Sequence, residues 1–306
     1  MNLYWSVFRN LEKELITLSN QIHFDDKQLD VYSVKISELL IRSVVEIESI
    51  AKDLFLTNGG TIPDGSDLYF DTDCLELLEN EWSLSTKQVV VSAQNFYFAN
   101  ADNQILTPLN KANKRGTSGS DWKKAYQAVK HNRTFSLSKG NLKHLIRAMA
   151  ALYLLNVYYK NDSFELDNDA SGLMFDERQG SEIFSIKLHM STNISTDGTY
   201  TKKVDFDECA YLLKATDETA AGVRDSIRKI EEKSNELASA HMLKKIEREL
   251  QLATDLTADN AQSKIEEFIK NDKEKIGSRF LQQAVRSESS SFRNLKYEAV
   301  VNKNQF

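Results

Sequence analysis

Only two prolines, Pro63 and Pro108, interrupt the 306 residues, and a chain so poor in the residue that breaks helices is free to form long ones. Cysteine is equally scarce. Cys74 and Cys209 stand far apart with no CxxC neighbour, which excludes a disulfide framework and a zinc module of ordinary thiolate spacing. No apolar run reaches the length of a membrane span, and Met1-Asn2-Leu3-Tyr4-Trp5 lacks the basic-then-apolar pattern of a signal peptide. The expectation is a soluble, cytoplasmic protein with no membrane partner. There is no glycine-rich phosphate loop and no nucleophile elbow. His23, His189 and His241 have no ligand at metal-binding spacing, and Asp64, Asp67, Asp71 and Asp73 lack the glycine and closing glutamate of an EF-hand. Neither a metal nor a cofactor is therefore expected.

What is present is ample apolar material: 41% of residues are hydrophobic and 9% aromatic, enough for a core in one large or two ordinary domains. Its spacing is mostly helical. Trp5, Phe8, Leu11, Leu15, Leu18 and Ile22 mark a helix over about 4–22, and Leu39, Leu40, Val44, Ile47, Ile50, Ala51 and Leu54 mark a longer one over 31–56, stopped by Asn58-Gly59-Gly60. Between Asp53 and Thr86 lie eight acids and no base, the composition of a solvated crossover, with one short helix near 72–79. Val89–Val91 and Phe96–Phe98 fit a strand or a buried helix equally well. Ser118–Asp121 supplies capping chemistry for a helix ending near Arg133, and 142–159 reads as a nearly buried helix.

After residue 160 the chain changes character. Glu182–Met190 and Tyr200–Phe206 alternate with period two around Thr196-Asp197-Gly198, which predicts a β-hairpin. Two charged helices follow, over 217–253 and 258–285, and a polar tail from 287 is expected to fray. Val223, Ile227, Ile230, Ser234, Leu237 and His241 form a short heptad seam, expected to pack on the chain's own next helix. The predicted class is mainly α: an N-terminal helical bundle over 1–160, then an acidic linker, a small β-hairpin and a C-terminal helical hairpin over 161–306. Homodimerisation, if present, is assigned to the N-terminal bundle.

The net charge is −6, yet Lys111–Arg147 holds ten lysines and arginines, with His131 and His144, against the single carboxylate of Asp121. That excess needs an anionic partner, either phosphate or the protein's own acids. Lys130, His131 and Arg133 are the residue types that metal-independent RNA cleavage requires. A base removes the ribose 2′-hydroxyl proton, and cations stabilise the charge growing on the phosphoryl oxygens. Lys123, Lys124, Trp122 and Tyr126 are the matching candidates for substrate binding. A structural alternative uses the same residues. On a helical wheel Arg133 shares a face with Trp122, Tyr126 and Val129, and the long second helix offers Arg42 with Glu46 and Glu48 with Lys52 as i, i+4 pairs. Arg133 would then lock onto Glu46 or Glu48, leaving a non-catalytic module that binds a protein or RNA partner.

The run Ser37-Glu38-Leu39-Leu40-Ile41-Arg42 with Glu46-Ile47-Glu48 and Lys52, followed by Trp122-x-x-x-Tyr126-x-x-x-Lys130-His131-Asn132-Arg133 and Asn141-Leu142, resembles bacterial HEPN-like helical-bundle proteins. That superfamily includes abortive-infection and toxin ribonucleases. The resemblance covers about 4–160 and implies an all-α bundle that often dimerises and cuts RNA without metal. One departure stands out. The usual nuclease signature has an arginine four to six residues before its histidine, and none of the five histidines here has one; His131 precedes Arg133 instead.

Overall fold

The computed structural model describes residues 2–62, 67–190, 202–252, 257, 260–288, 292 and 294–305. It is mainly helical with some sheet. In chain order the elements are α1 (Leu3–Ser19), β1 (Phe24–Asp25), α2 (Val34–Thr57), a π-helical turn (Phe70–Leu75) running into α3 (Glu76–Trp82), β2 (Val89–Val91), β3 (Phe96–Tyr97), α4 (Ala101–Gln104) and β4 (Ile105–Leu106). Then come α5 (Asp121–His131), α6 (Arg133–Ser136), α7 (Leu142–Lys160), β5 (Phe164–Glu165), β6 (Phe184–Ile186), β7 (Leu188–Met190), β8 (Tyr211–Ala215), α8 (Asp217–Leu252), α9 (Ala261–Glu288) and β9 (Tyr297–Val301). Contacts divide the chain into one unit of Met1–Thr192, Thr201–Lys214 and Glu298–Phe306 and a second that includes Ala215–Tyr297.

In the first unit α2 and α7 pack along each other, and α1 and α5 lie against both. Their starts are set by side-chain caps: Asn2 accepts from Trp5 N at 3.0 Å, Ser33 from Ile36 N at 3.1 Å and Asn141 from His144 N at 3.1 Å. From Ala148 to Tyr158, α7 is buried without a break, so its apolar surface goes all round rather than along one stripe. Each fully buried leucine there contributes about 1.5–3 kcal/mol. Gly140 is required by close approach. A side chain there would run into Ser37, whose hydroxyl donates to the Gly140 carbonyl at 3.2 Å and ties α2 to the start of α7.

The acidic stretch before β2 is not the solvated crossover that its composition predicts. Phe70, Asp71, Cys74, Leu75, Leu78 and Trp82 are buried, and the π-helical turn packs on α2. Asp64 and Pro63 lie outside the described residues.

The expected β-hairpin is also replaced. β6 pairs antiparallel with β2, and β7 pairs parallel with β8, His189 opposite Leu212. Residues 204–208 form turns, while the expected hairpin tip at Thr196–Gly198 lies outside the described residues. The tail does not fray either: β9 stands between β5 and β8 in a four-stranded sheet, with Tyr297, Ala299 and Val301 buried. In the second unit α8 and α9 pack on each other; Val223, Ile230 and Ser234 of the predicted seam are buried, as are Phe280 and Ala284.

Candidate functional site

The basic segment divides its charge between the protein and the surface. Lys123 is 4% exposed; its ammonium donates to Asp71 Oδ2 at 3.0 Å, to the Ala112 carbonyl at 2.8 Å and to the Lys114 carbonyl. Arg115 donates to the other Asp71 oxygen at 2.9 Å and stacks over the Tyr69 ring at 3.8 Å. Burial alone would raise the Asp71 carboxyl, but the Lys123 hydrogen bond, the Thr72 N–H and Arg115 outweigh it and hold it below the usual carboxylate range. Burial pushes the Lys123 ammonium down against the pull of Asp71. The donors converging on Asp71 favour its carboxylate form. Lys114 pairs with Glu76 at 3.2 Å, and Arg147 pairs with Asp121.

Trp122 and Tyr126 are each 1% exposed. The indole N–H of Trp122 donates to the Pro108 carbonyl at 2.8 Å, and burial raises the Tyr126 phenol, which also bonds Lys130 and Glu48. Neither ring has a face to offer a base, and the Lys123 ammonium is turned inward onto Asp71 instead of out to a phosphate. Of the predicted substrate-binding residues, Lys124 alone is on the surface.

Arg133 also departs from its predicted place. The chain leaves helical geometry at Asn132, φ −149° and ψ 69°, and Arg133 begins the separate short helix α6. It is exposed and reaches neither Glu46 nor Glu48. The supporting pairs rearrange as well: Arg42 bonds Glu14 of α1 at 2.7 Å, while burial raises the Glu46 carboxyl against the opposing charge of Arg42. Glu48 and Lys52 form no ion pair with each other among the described residues; both line a groove instead.

That groove, about 700 Å³, lies between α2, the π-helical turn and the start of α5; its lining holds Lys52, Arg115, Lys123 and Lys124 with the carboxylates of Glu48 and Asp71. Lys124 and Gln127 form its α5 wall. Lys124, Gln127 and His131 then follow at i, i+3 and i+7 and share one stripe of α5. His131 is exposed and its Nε2 lies 3.1 Å from Gln127 Oε1. Over seven residues the stripe rises about 10 Å, leading from the groove mouth to His131. Beside it Lys130 is exposed and lies 5.2 Å from the Tyr126 ring centre; its hydrogen bond to the Tyr126 hydroxyl raises the ammonium and keeps it charged. Lys124, Lys130 and Arg133 make no ion pair among the described residues.

Phe135, 85% exposed on α6, was not singled out by sequence spacing. A four-residue helix is too short to show periodicity, and the only signal was an aromatic amid polar residues, Asn132-Arg133-Thr134-Phe135-Ser136.

Sequence spacing offered His189 no ligand partner, but the fold supplies neighbours from a distance. The fold brings its ring against Asp205 and Cys209, sixteen and twenty positions later, with the ligand atoms of all three within 4.8 Å of one another. Among the described residues no helix is long and apolar enough to cross a membrane. Comparison with known proteins finds no matching family model, no similar curated protein and no similar solved structure.

Proposed function

We propose that residues 1–160 form a HEPN-like bundle that binds single-stranded RNA along the α5 edge and cleaves it without metal. One observation carries this reading: the cationic groove continues along Lys124, Gln127 and His131, with Lys130 and Arg133, which make no ion pair among the described residues, nearby in the chain and the exposed ring of Phe135 on the following helix α6. Cations follow a phosphate backbone, and an exposed aromatic accepts a splayed base. In the reaction His131 takes the 2′-hydroxyl proton. The 2′-oxygen bonds the adjacent phosphorus as the bond from phosphorus to the 5′-oxygen breaks, and solvent protonates the leaving oxygen. Lys130 and Arg133 stabilise the charge on the phosphoryl oxygens. DNA has no 2′-hydroxyl and is not cut.

Binding is tested by fluorescence anisotropy of a labelled single-stranded RNA over a salt series. Lys124→Ala and Arg133→Ala each weaken binding and lower the salt slope by about 0.7 per lost phosphate contact. Unchanged slopes in both variants overturn the assigned edge. A second reading, a module that binds RNA or protein without cutting it, is favoured by the openness of His131, which lines neither this groove nor the smaller one beside Trp122 and Arg147. Homodimerisation through residues 1–160 belongs to the same proposal, and light scattering of the full chain tests it.

A further inference from the structure

The turn before β8 is built with more care than a connection between strands needs. The buried Asn302 side chain donates to the Phe206 carbonyl at 2.7 Å and to the Cys209 carbonyl at 3.0 Å, and its backbone N–H donates to the Ala210 carbonyl at 2.9 Å. Its own carbonyl accepts from the Tyr158 hydroxyl of α7 at 2.7 Å. The loop carrying Asp205 and Cys209 is thus anchored at both ends to the core, while β7 holds His189 opposite Leu212 in the sheet.

Three donor types converge there. His189 is fully buried and its Nδ1 lies 3.0 Å from Asp205 Oδ1. Cys209 is 1% exposed, and its sulfur lies 4.0 Å from the other Asp205 oxygen. Asp205 is half-exposed and opens the site to solvent. Tetrahedral zinc with ordinary bond lengths to nitrogen, oxygen and sulfur needs its ligands about 3.4–3.6 Å apart; here the ligand atoms all lie within 4.8 Å of one another, so sub-ångström to ångström side-chain shifts would close them on an ion. One imidazole, one carboxylate and one thiolate suit a borderline-soft dication, not magnesium or calcium, which take oxygen. Thiolate and carboxylate together cancel the charge of such an ion.

We infer that His189, Asp205 and Cys209 bind a single zinc ion, with solvent as the fourth ligand on the Asp205 side. Metal binding at neutral pH releases the Cys209 proton to solvent and leaves the thiolate on zinc. The site shares no residue with the α5 edge and does not depend on the RNA reading.

The full-length chain, free of any affinity tag, is stripped with chelator and titrated with cobalt(II). The expected result is saturation at one ion per chain with a thiolate-to-metal charge-transfer band in the near ultraviolet and displacement by zinc. Cys209→Ser abolishes the band, and His241→Ala, on α8, leaves it unchanged. Absence of saturable binding in the native chain overturns the inference, and so does cobalt bound without a thiolate band. Both read the native chain, so a variant that fails to fold does not blunt the test. A band that survives Cys209→Ser overturns it as well.

Discussion

Lys123 of α5 and Asp71 of the π-helical turn form a buried ion pair at 3.0 Å, both side chains less than a tenth exposed. Within the basic segment Lys111–Arg147 at least one cation is therefore turned inward. Removing one member leaves the other buried and unpaired, so Asp71→Ala should destabilise the protein by about 3–5 kcal/mol. Lys123→Met with Asp71→Leu, which removes both charges, should cost much less. Urea unfolding of the three proteins gives the comparison, and equal losses in the single and double variants would contradict the pairing.

The same carboxylate makes stability depend on pH. Its folded value is held below the ordinary one, so the unfolded chain takes up a proton first as pH falls. The stabilisation is complete above the ordinary aspartate range and disappears as pH drops through the lowered folded value. The difference in unfolding free energy between the native protein and Asp71→Asn should shrink over that acid window. A difference independent of pH would assign the stabilisation to packing.

Trp122 and Phe135 separate the core from the proposed binding edge. Trp122→Phe orphans the buried Pro108 carbonyl and should cost about 1–3 kcal/mol of stability, with little change in RNA affinity for the folded protein. Phe135→Ala should do the reverse, altering stability by less than about 0.5 kcal/mol and weakening RNA binding by about 1–3 kcal/mol if one base stacks there. Thermal melts and anisotropy on both variants check the pair. Equal RNA affinity in the native protein and Phe135→Ala removes the aromatic from the account.

The C-terminal tail is predicted to be part of the fold. Asn302→Ala leaves the Phe206 and Cys209 carbonyls without their buried donor, at about 1–3 kcal/mol for each orphaned group. Hydrogen exchange at β8 and β9 should quicken in the variant. Exchange matching the native chain would place the tail outside the sheet's cooperative unit.

The long helices were legible because their apolar spacing is a property of local sequence. Sequence bounds for α1, α2, α5 and α7 fall within a few residues of those found. Strand pairing was not, since β2 lies between β4 and β6 and β7 runs parallel to β8, partners that no short window contains. β9 did carry a signal, the alternation of buried Tyr297, Ala299 and Val301 with Glu298 and Val300, masked by polar neighbours. At the α5 edge the residue types were visible but not their directions. The break at Asn132 turns Arg133 away from the apolar face, and Asp71, 52 residues before Lys123, sits in a run whose acidity suggested solvent.

In the proposed reaction His131 removes the 2′-hydroxyl proton of RNA at the α5 edge. Purified full-length protein is incubated with single-stranded RNA and with DNA of the same sequence in EDTA, beside His131→Ala shown by circular dichroism to be folded. The expected products are RNA fragments ending in 2′,3′-cyclic phosphate from the native protein, none from DNA, and none from the variant. Intact RNA with the native protein, or equal cleavage by His131→Ala, would contradict the proposed reaction.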